Sequence, residues 1–273
     1  MLNSYSESSL HDFFTEIHKI LRETNPKIIE IWCEISKISF FNSLEKTEIY
    51  EFIDKFDFLS LRKGNYIYYI VINKILFIID CMSFLKYDII YLSEILDYSG
   101  FELLIKEILL RNNYKAITNF RFSVNPKLKL KSNIHHKRHE IDVIGIYLKY
   151  ILIIDAKQWR RKDSYGSLNK AANLQYNRIM ALKQNPKAFL RLIISILGEG
   201  IDVGRHFSFI LLPIMVTLED NSIKLNENQI PLVSIHELNA FLQEIPNNLN
   251  YFKTLQIDKE ILNKNINYFS KPK

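Results

Sequence analysis

The chain has 273 residues, 48% hydrophobic and 24% charged, with a formal charge of +6. These values exclude a disordered polymer, a fibre and a disulfide scaffold, and leave one large globular domain or two modest ones. The basic excess suits an anionic partner, nucleic acid first and an acidic membrane surface second.

The first ten residues, "MLNSYSESSL", lack a basic stretch followed by an apolar core, so no signal peptide is expected. Leu10, Phe13, Phe14, Ile17, Ile20 and Leu21 then form one apolar stripe at helical spacing. Asn25 as a cap and Pro26 at the first helical position predict a second helix burying Ile28, Ile31, Trp32 and Ile35. A third begins near Ser43 and shows Ile49, Phe52, Ile53 and Phe56. Strand-like runs Phe58–Leu61 and Tyr66–Ile72 flank the turn "RKGN". Three helices and a hairpin are the element order of a winged helix, and equally of a helical cap. Asn73, Lys74 and Asp80 interrupt the apolar run from Tyr66 to Leu85, which argues against a membrane span. Cys33 and Cys81 are far apart and lack metal-site spacing, which suggests a reducing compartment. We expect a cytoplasmic protein. Residues 1–96 read as a mainly helical N-terminal region with a β-hairpin, and residues 97–273 as a second domain with a basic tail.

In that second domain a helix runs from Gly100 to Arg111, followed by a strand over Ala116–Val124. The stretch "HEIDVIGIYLKYILIIDAKQW", His139 to Trp159, carries charges only near its ends. Folded about Leu148-Lys149, it predicts an antiparallel pair in which Glu140 faces Lys157, Asp142 faces Asp155, Ile144 faces Ile153, and Ile146 faces Ile151. On the other side Ile141 faces Ala156, Val143 faces Ile154, and Gly145 faces Leu152. Leu148-Lys149 is poor two-residue turn chemistry, so a longer loop would not surprise. A helix from Ser167 to about Gln184 follows, then one from Asn185-Pro186 to Gly198. "FSFILLPIMVT" reads as a strand buried on both faces, with Pro213 marking a bulge or an edge. "IPLVSI" is a short strand, and Ser234 and Glu237 are spaced as a capping box opening a last helix. Interleaved strands and helices predict an α/β layer structure.

The hairpin puts two aspartates about 5 Å apart at Cβ. Carboxylates that close repel unless a cation lies between them, and hard oxygen ligands suit Mg²⁺, with Mn²⁺ able to substitute. Lys157 stands on the same side as Asp155, about 7 Å further along the strand, where it can reach a phosphate oxygen or an attacking water. The competing account is a salt-bridged hairpin end. "KLKLKSNIHHKRHE" and "WRRK" flank the hairpin. Lys137, Arg138, Arg160, Arg161 and Lys162 can hold phosphates by charge, and Trp159 can stack on a base. His135, His136 and His139 have no cysteine nearby and irregular spacing, and read as loop histidines facing phosphate or solvent, His139 being able to approach the acidic corner.

Asp142 followed by Asp155-Ala156-Lys157 on the next strand resembles the signature of the PD-(D/E)xK, or restriction-endonuclease-like, nuclease superfamily. Upstream, "SGFELLIKEILLRNNYKAITNF" resembles its first motif as seen in Mrr-like and archaeal Holliday-junction-resolvase-like members. Ile stands before Asp142 where Pro is usual, Asp155 where Glu is commoner, and Asn113-Tyr114 where Gly-aromatic is usual. The resemblance implies an αβββαβ core and a Mg²⁺-dependent endonuclease acting on DNA rather than RNA. Asp142, Asp155 and the Ala156 carbonyl would bind the metal. Lys157 would act on water and the transition state, and Glu102 would join the metal site directly or through water. Gln175, on the buried side of its helix with Leu168, Ala171, Ala172, Ile179 and Leu182, would point into the site. A core-edge Gln bonded to backbone is the equal competitor. Because such enzymes usually act as dimers, a homodimer is implied. The alternative is a nuclease fold that grips nucleic acid without cutting it.

Overall fold

The structure, a computed structural model, describes residues 6–85, 88–123, 138–158, 165–198, 208–220 and 223–258. The chain divides into two compact units, Met1–Leu103 and Leu104–Lys273. It is an α/β structure whose larger sheet is mixed and flanked by helices. Among the described residues no helix is long and apolar enough to cross a membrane.

The first unit opens with helix α1 (Glu7–Arg22), whose N-cap Ser6 accepts from the Ser9 N–H. Strand β1 (Glu30–Glu34) follows, then helix α2 (Lys46–Ile53), strand β2 (Leu59–Lys63) and strand β3 (Tyr68–Asn73). The three strands pair antiparallel in the order β1-β3-β2. The core is aromatic: Phe13 meets Phe52 edge-on at 4.8 Å, and Phe58 meets Phe77 edge-on at 5.2 Å.

The second expected helix is absent. Asn25 and Pro26 open a turn, with the Lys27 N–H on Asn25 Oδ1 at 3.0 Å and the Ile28 N–H on the Asn25 carbonyl. The chain then becomes β1. Isoleucine, tryptophan and cysteine between two glutamates fit a pleated strand as well as a helix, and the open edge of β3 supplies the partner that decides it. Cys33 is buried while Trp32 is 61% exposed. The polar interruptions of the Tyr66–Leu85 run have structural jobs. Asn73 caps helix α3 (Lys74–Asp80), and Lys74 donates to the Asn25 and Ile95 carbonyls. Helix α4 (Ile89–Leu92) follows, then helix α5 (Tyr98–Arg111), which begins in the first unit and runs into the second.

The second unit is built on a six-stranded sheet. Strands β4 (Lys115–Ser123), β5 (Arg138–Tyr147) and β6 (Tyr150–Lys157) form an antiparallel meander. Helices α6 (Tyr165–Lys183) and α7 (Pro186–Leu197) then cross to strand β7 (Phe209–Thr217), which lies parallel to β6. Strand β8 (Leu232–Ser234) pairs parallel with the end of β7. After helix α8 (Leu238–Asn248), strand β9 (Leu255–Ile257) pairs antiparallel with its start. Phe120, Ile144, Ile146, Ile151 and Ile153 of the sheet pack against Ile179 and Leu182 of α6 and Phe189 and Ile193 of α7. A Cβ at Gly145 would lie only 3.0 Å from Leu109 of α5 and 3.3 Å from Tyr114.

One local expectation is sharpened and one changes. Pro213 is at a local edge and not at a bulge. It lies inside β7, opposite Ile153 of β6. The Met215 N–H bonds the Pro231 carbonyl on the β8 side, so position 213, two residues back, faces that side too. There β9 has ended at Leu211 and β8 begins at Met215, so the missing N–H of proline falls in a gap. Ser234 does not cap the last helix, because it is a residue of β8; α8 starts at Leu238 behind Glu237, which takes a 3.2 Å hydrogen bond from Ser234.

Candidate active site

The β5–β6 hairpin sets the frame. Its turn has two residues, Leu148 and Lys149, so the loop is not longer. Leu148 takes φ 53°, a left-handed conformation that costs a non-glycine residue about 1–2 kcal/mol. The ladder runs Tyr147↔Tyr150, Ile146↔Ile151, Gly145↔Leu152, Ile144↔Ile153 and Val143↔Ile154, the register predicted from the apolar pattern. A tight turn enforces this pairing, and a one-residue slip would reverse every inward side chain.

Beyond Val143 the hairpin forks. Strand β5 keeps its pairing with β4 to Ser123↔Arg138, while β6 keeps its pairing with β7 to Lys157↔Thr217. The expected pairs Asp142–Asp155, Ile141–Ala156 and Glu140–Lys157 therefore do not form as ladder pairs. The Ala156 N–H, which a continued ladder would use, donates instead to Asp142 Oδ2 at 2.9 Å. Asn119, opposite Asp142 by the β4–β5 register, takes φ 58°, and the ladder on that side is interrupted at the same level. Asparagine tolerates this conformation better than most residues. So Asp142 stands where both of its neighbours leave regular pairing, and its side chain spans the opening.

Asp155 stands on the other prong, 2% exposed. A carboxylate so buried needs charge compensation. Two cations supply it: Lys157 Nζ lies 2.6 Å from Oδ2, and Arg178 Nη1 lies 2.5 Å from Oδ1. Lys157 Nζ also donates to the Ala156 carbonyl at 3.3 Å. Arg178 comes from α6, where its Nη1 also donates to Gln175 Oε1 at 2.9 Å. Gln175 in turn donates from Nε2 to the Ile153 carbonyl at 3.0 Å. The fully buried Gln175 is thus bonded to backbone and braces Arg178, tying α6 to the strand that carries Asp155 and Lys157.

The fork therefore brings Asp142, Asp155, Ala156 and Lys157 to one end of the hairpin, with Arg178 and Gln175 behind. Glu102 is buried on α5 in the first unit; Glu107 pairs with Arg111 at the surface. Glu140 is not held by Lys157. It takes a 2.7 Å ion pair from Arg121 on β4, because β5 follows β4 after the fork. His139 is no loop residue: it is a buried β5 residue stacked on Phe122 at 5.0 Å. Arg138 is exposed at the start of β5. Lys137, Trp159, Arg160, Arg161 and Lys162, with His135 and His136, lie outside the described residues.

Sequence reasoning missed Arg178. Its signal was present, since it lies three residues after Gln175 and therefore beside it on the same helix face.

Among the described residues no three His, Cys, Asp or Glu side chains form a metal-binding group. A divalent ion at the fork would rest on two carboxylates and the Ala156 carbonyl. That hard-oxygen set fits Mg²⁺, which commonly takes one or two carboxylates and keeps its remaining positions for water and phosphate.

No family model matches the chain, and no curated protein matches it. Among solved structures, the crystal structure of protein VC1899 from Vibrio cholerae aligns at a TM-score of 0.31 with 10% identity. The alignment covers 89% of this chain and 51% of that one, so the chain spans about half its length. A likeness at this level carries no argument about activity.

Proposed function

We propose that the second unit is a restriction-endonuclease-like core and that the protein is a metal-dependent nuclease, an endonuclease acting on DNA. One observation carries this reading: the hairpin forks where two buried aspartates occur, one on each prong, with a lysine ammonium 2.6 Å from the second. A hairpin end that served only stability would keep its ladder closed and its carboxylates in water.

Asp142, Asp155 and the Ala156 carbonyl would hold Mg²⁺. The ion supplies an activated water and neutralises charge developing on the phosphoryl oxygens. Lys157, with its side chain 19% exposed, reaches from Asp155 to the rim and donates to the attacking water or to a phosphoryl oxygen. Arg178 fixes the carboxylate of Asp155, and Gln175 fixes Arg178. The order α1-β1-α2-β2-β3 with sheet order β1-β3-β2 fits a winged helix for the first unit. Its helix α2 carries one lysine and two glutamates, so it does not present the basic face of a DNA-reading helix.

A grip without cleavage is the second reading. It is favoured by the two cations that already compensate Asp155. Labelled duplex, single-stranded and branched DNA, and RNA, incubated with Mg²⁺, Mn²⁺ or chelator, separate the two. We expect metal-dependent cutting by the wild type and none by Asp142→Asn or Lys157→Ala. Cutting that survives chelation or both substitutions overturns the mechanism. Tight binding without cutting selects the second reading.

A further inference from the structure

One cavity of the second unit lies away from the fork. A space of about 820 Å³ opens between the end of β4, the start of β5 and the first turns of α7. Arg121, Arg138, Lys187 and Arg191 line it against one carboxylate, Glu140. All four cations are exposed. Among the described residues only Arg121 has a carboxylate in ion-pair range, Glu140 at 2.7 Å.

The cations are set in place. Glu140 orients Arg121. Arg191 donates to the Arg121 carbonyl at 2.9 Å and lies over the Phe120 ring at 5.6 Å. Each guanidinium has five N–H donors, so these contacts leave others for a ligand. Asn185 ties the start of α7 to β4 by donating to the Ser123 carbonyl at 2.9 Å while it accepts from the Ala188 N–H. That brings the positive end of the twelve-residue α7 to the same wall. Three guanidiniums, a lysine and a helix N-terminus match the geometry of phosphate better than that of a single carboxylate. The volume is that of a site for a nucleotide-sized ligand.

We propose that this cavity is a phosphate-binding site. It takes the phosphates of a nucleotide-sized unit, from a nucleic-acid strand or from a free nucleotide. Arg138 and Glu140 precede Asp142 by four and two residues, so a strand held here would lie about 7–14 Å along β5 from the fork. None of the lining residues belongs to the metal-binding set, so the site does not depend on cleavage.

The test is binding in chelator, where no cutting occurs. A labelled single-stranded 12-mer DNA and AMP are titrated into the full chain, into Lys187→Gln/Arg191→Gln, and into the control Lys115→Gln at the far end of β4. We expect the double variant to bind at least one probe about tenfold more weakly. For the 12-mer, the salt slope should fall by about 1.4, two lost contacts at about 0.7 each. The control should follow the wild type. A loss seen with the 12-mer alone identifies the strand as the source, and one seen with AMP identifies a free nucleotide. If both probes bind the double variant as they bind the wild type, or bind neither protein, the proposal is overturned.

Discussion

Arg178 on α6 places Nη1 2.5 Å from Oδ1 of Asp155 on β6, and the same nitrogen lies 2.9 Å from Gln175 Oε1. Asp155 and Arg178 are 23 positions apart on different elements, so only packing brings them together. The relationship changes the role of Gln175. It braces the arginine that compensates the buried acid, and it satisfies a carbonyl of the strand itself.

Removing either part of this brace should loosen the hairpin end. Arg178→Ala leaves Asp155 with Lys157 as its remaining cation. The arginine side chain is 27% exposed, so the loss should be below that of a fully buried pair, about 1–2 kcal/mol. Gln175→Leu leaves the Ile153 carbonyl without its side-chain donor and should cost about 1–3 kcal/mol. Urea unfolding of the single and double variants should show non-additivity of at least about 0.5 kcal/mol. Strict additivity would mean that the two side chains act separately.

Asp142 has two separable jobs, and two substitutions split them. Asp142→Asn keeps an oxygen for the Ala156 N–H, so stability should stay within about 0.5 kcal/mol of wild type while metal-dependent cutting is lost. Asp142→Ala leaves that N–H without its side-chain acceptor and should cost about 1–3 kcal/mol as well. Isothermal titration with Mg²⁺ should show weaker binding in both. Equal Mg²⁺ affinity in wild type and Asp142→Asn would remove Asp142 from the metal set.

Gly145 tests the packing behind the hairpin. A valine there meets Leu109 at 3.0 Å and Tyr114 at 3.3 Å, both buried. Overpacking should cost about 1–3 kcal/mol, more than the strand preference of valine returns, which is under about 1 kcal/mol. Thermal unfolding of Gly145→Val should show a lowered midpoint.

His18, buried in the first unit against Tyr91 and Phe77, gives that unit an acid dependence. Burial lowers its pKa from the ordinary 6.5. Below pH 6.5 the unfolded chain takes up the proton before the folded one does. Stability contributed by the neutral ring is therefore full above that pH and falls as the pH drops towards the lower folded value. His18→Phe should lose less unfolding free energy between pH 7.5 and about 5 than the wild type does. Parallel pH profiles for the two proteins would contradict the assignment.

Much of the second unit was legible in the residues because it depends on local pattern. Folding the apolar run about Leu148-Lys149 predicted the hairpin register from Val143 to Ile154, and Asn185-Pro186 with Gly198 marked the ends of α7 to within a residue. These features arise from side-chain period and cap chemistry, which act within a few residues. What tertiary structure decided is where local pattern stops. The fork beyond Val143 exists because β4 and β7 hold the two prongs apart, and no property of the hairpin alone reveals that. The same competition gave Glu140 to Arg121 and not to Lys157, and drew Ile31 to Cys33 into a strand along β3 in place of a helix. Pairing with a distant strand and compensation of a buried charge are settled by whichever partner the fold brings near, and that partner is written elsewhere in the chain.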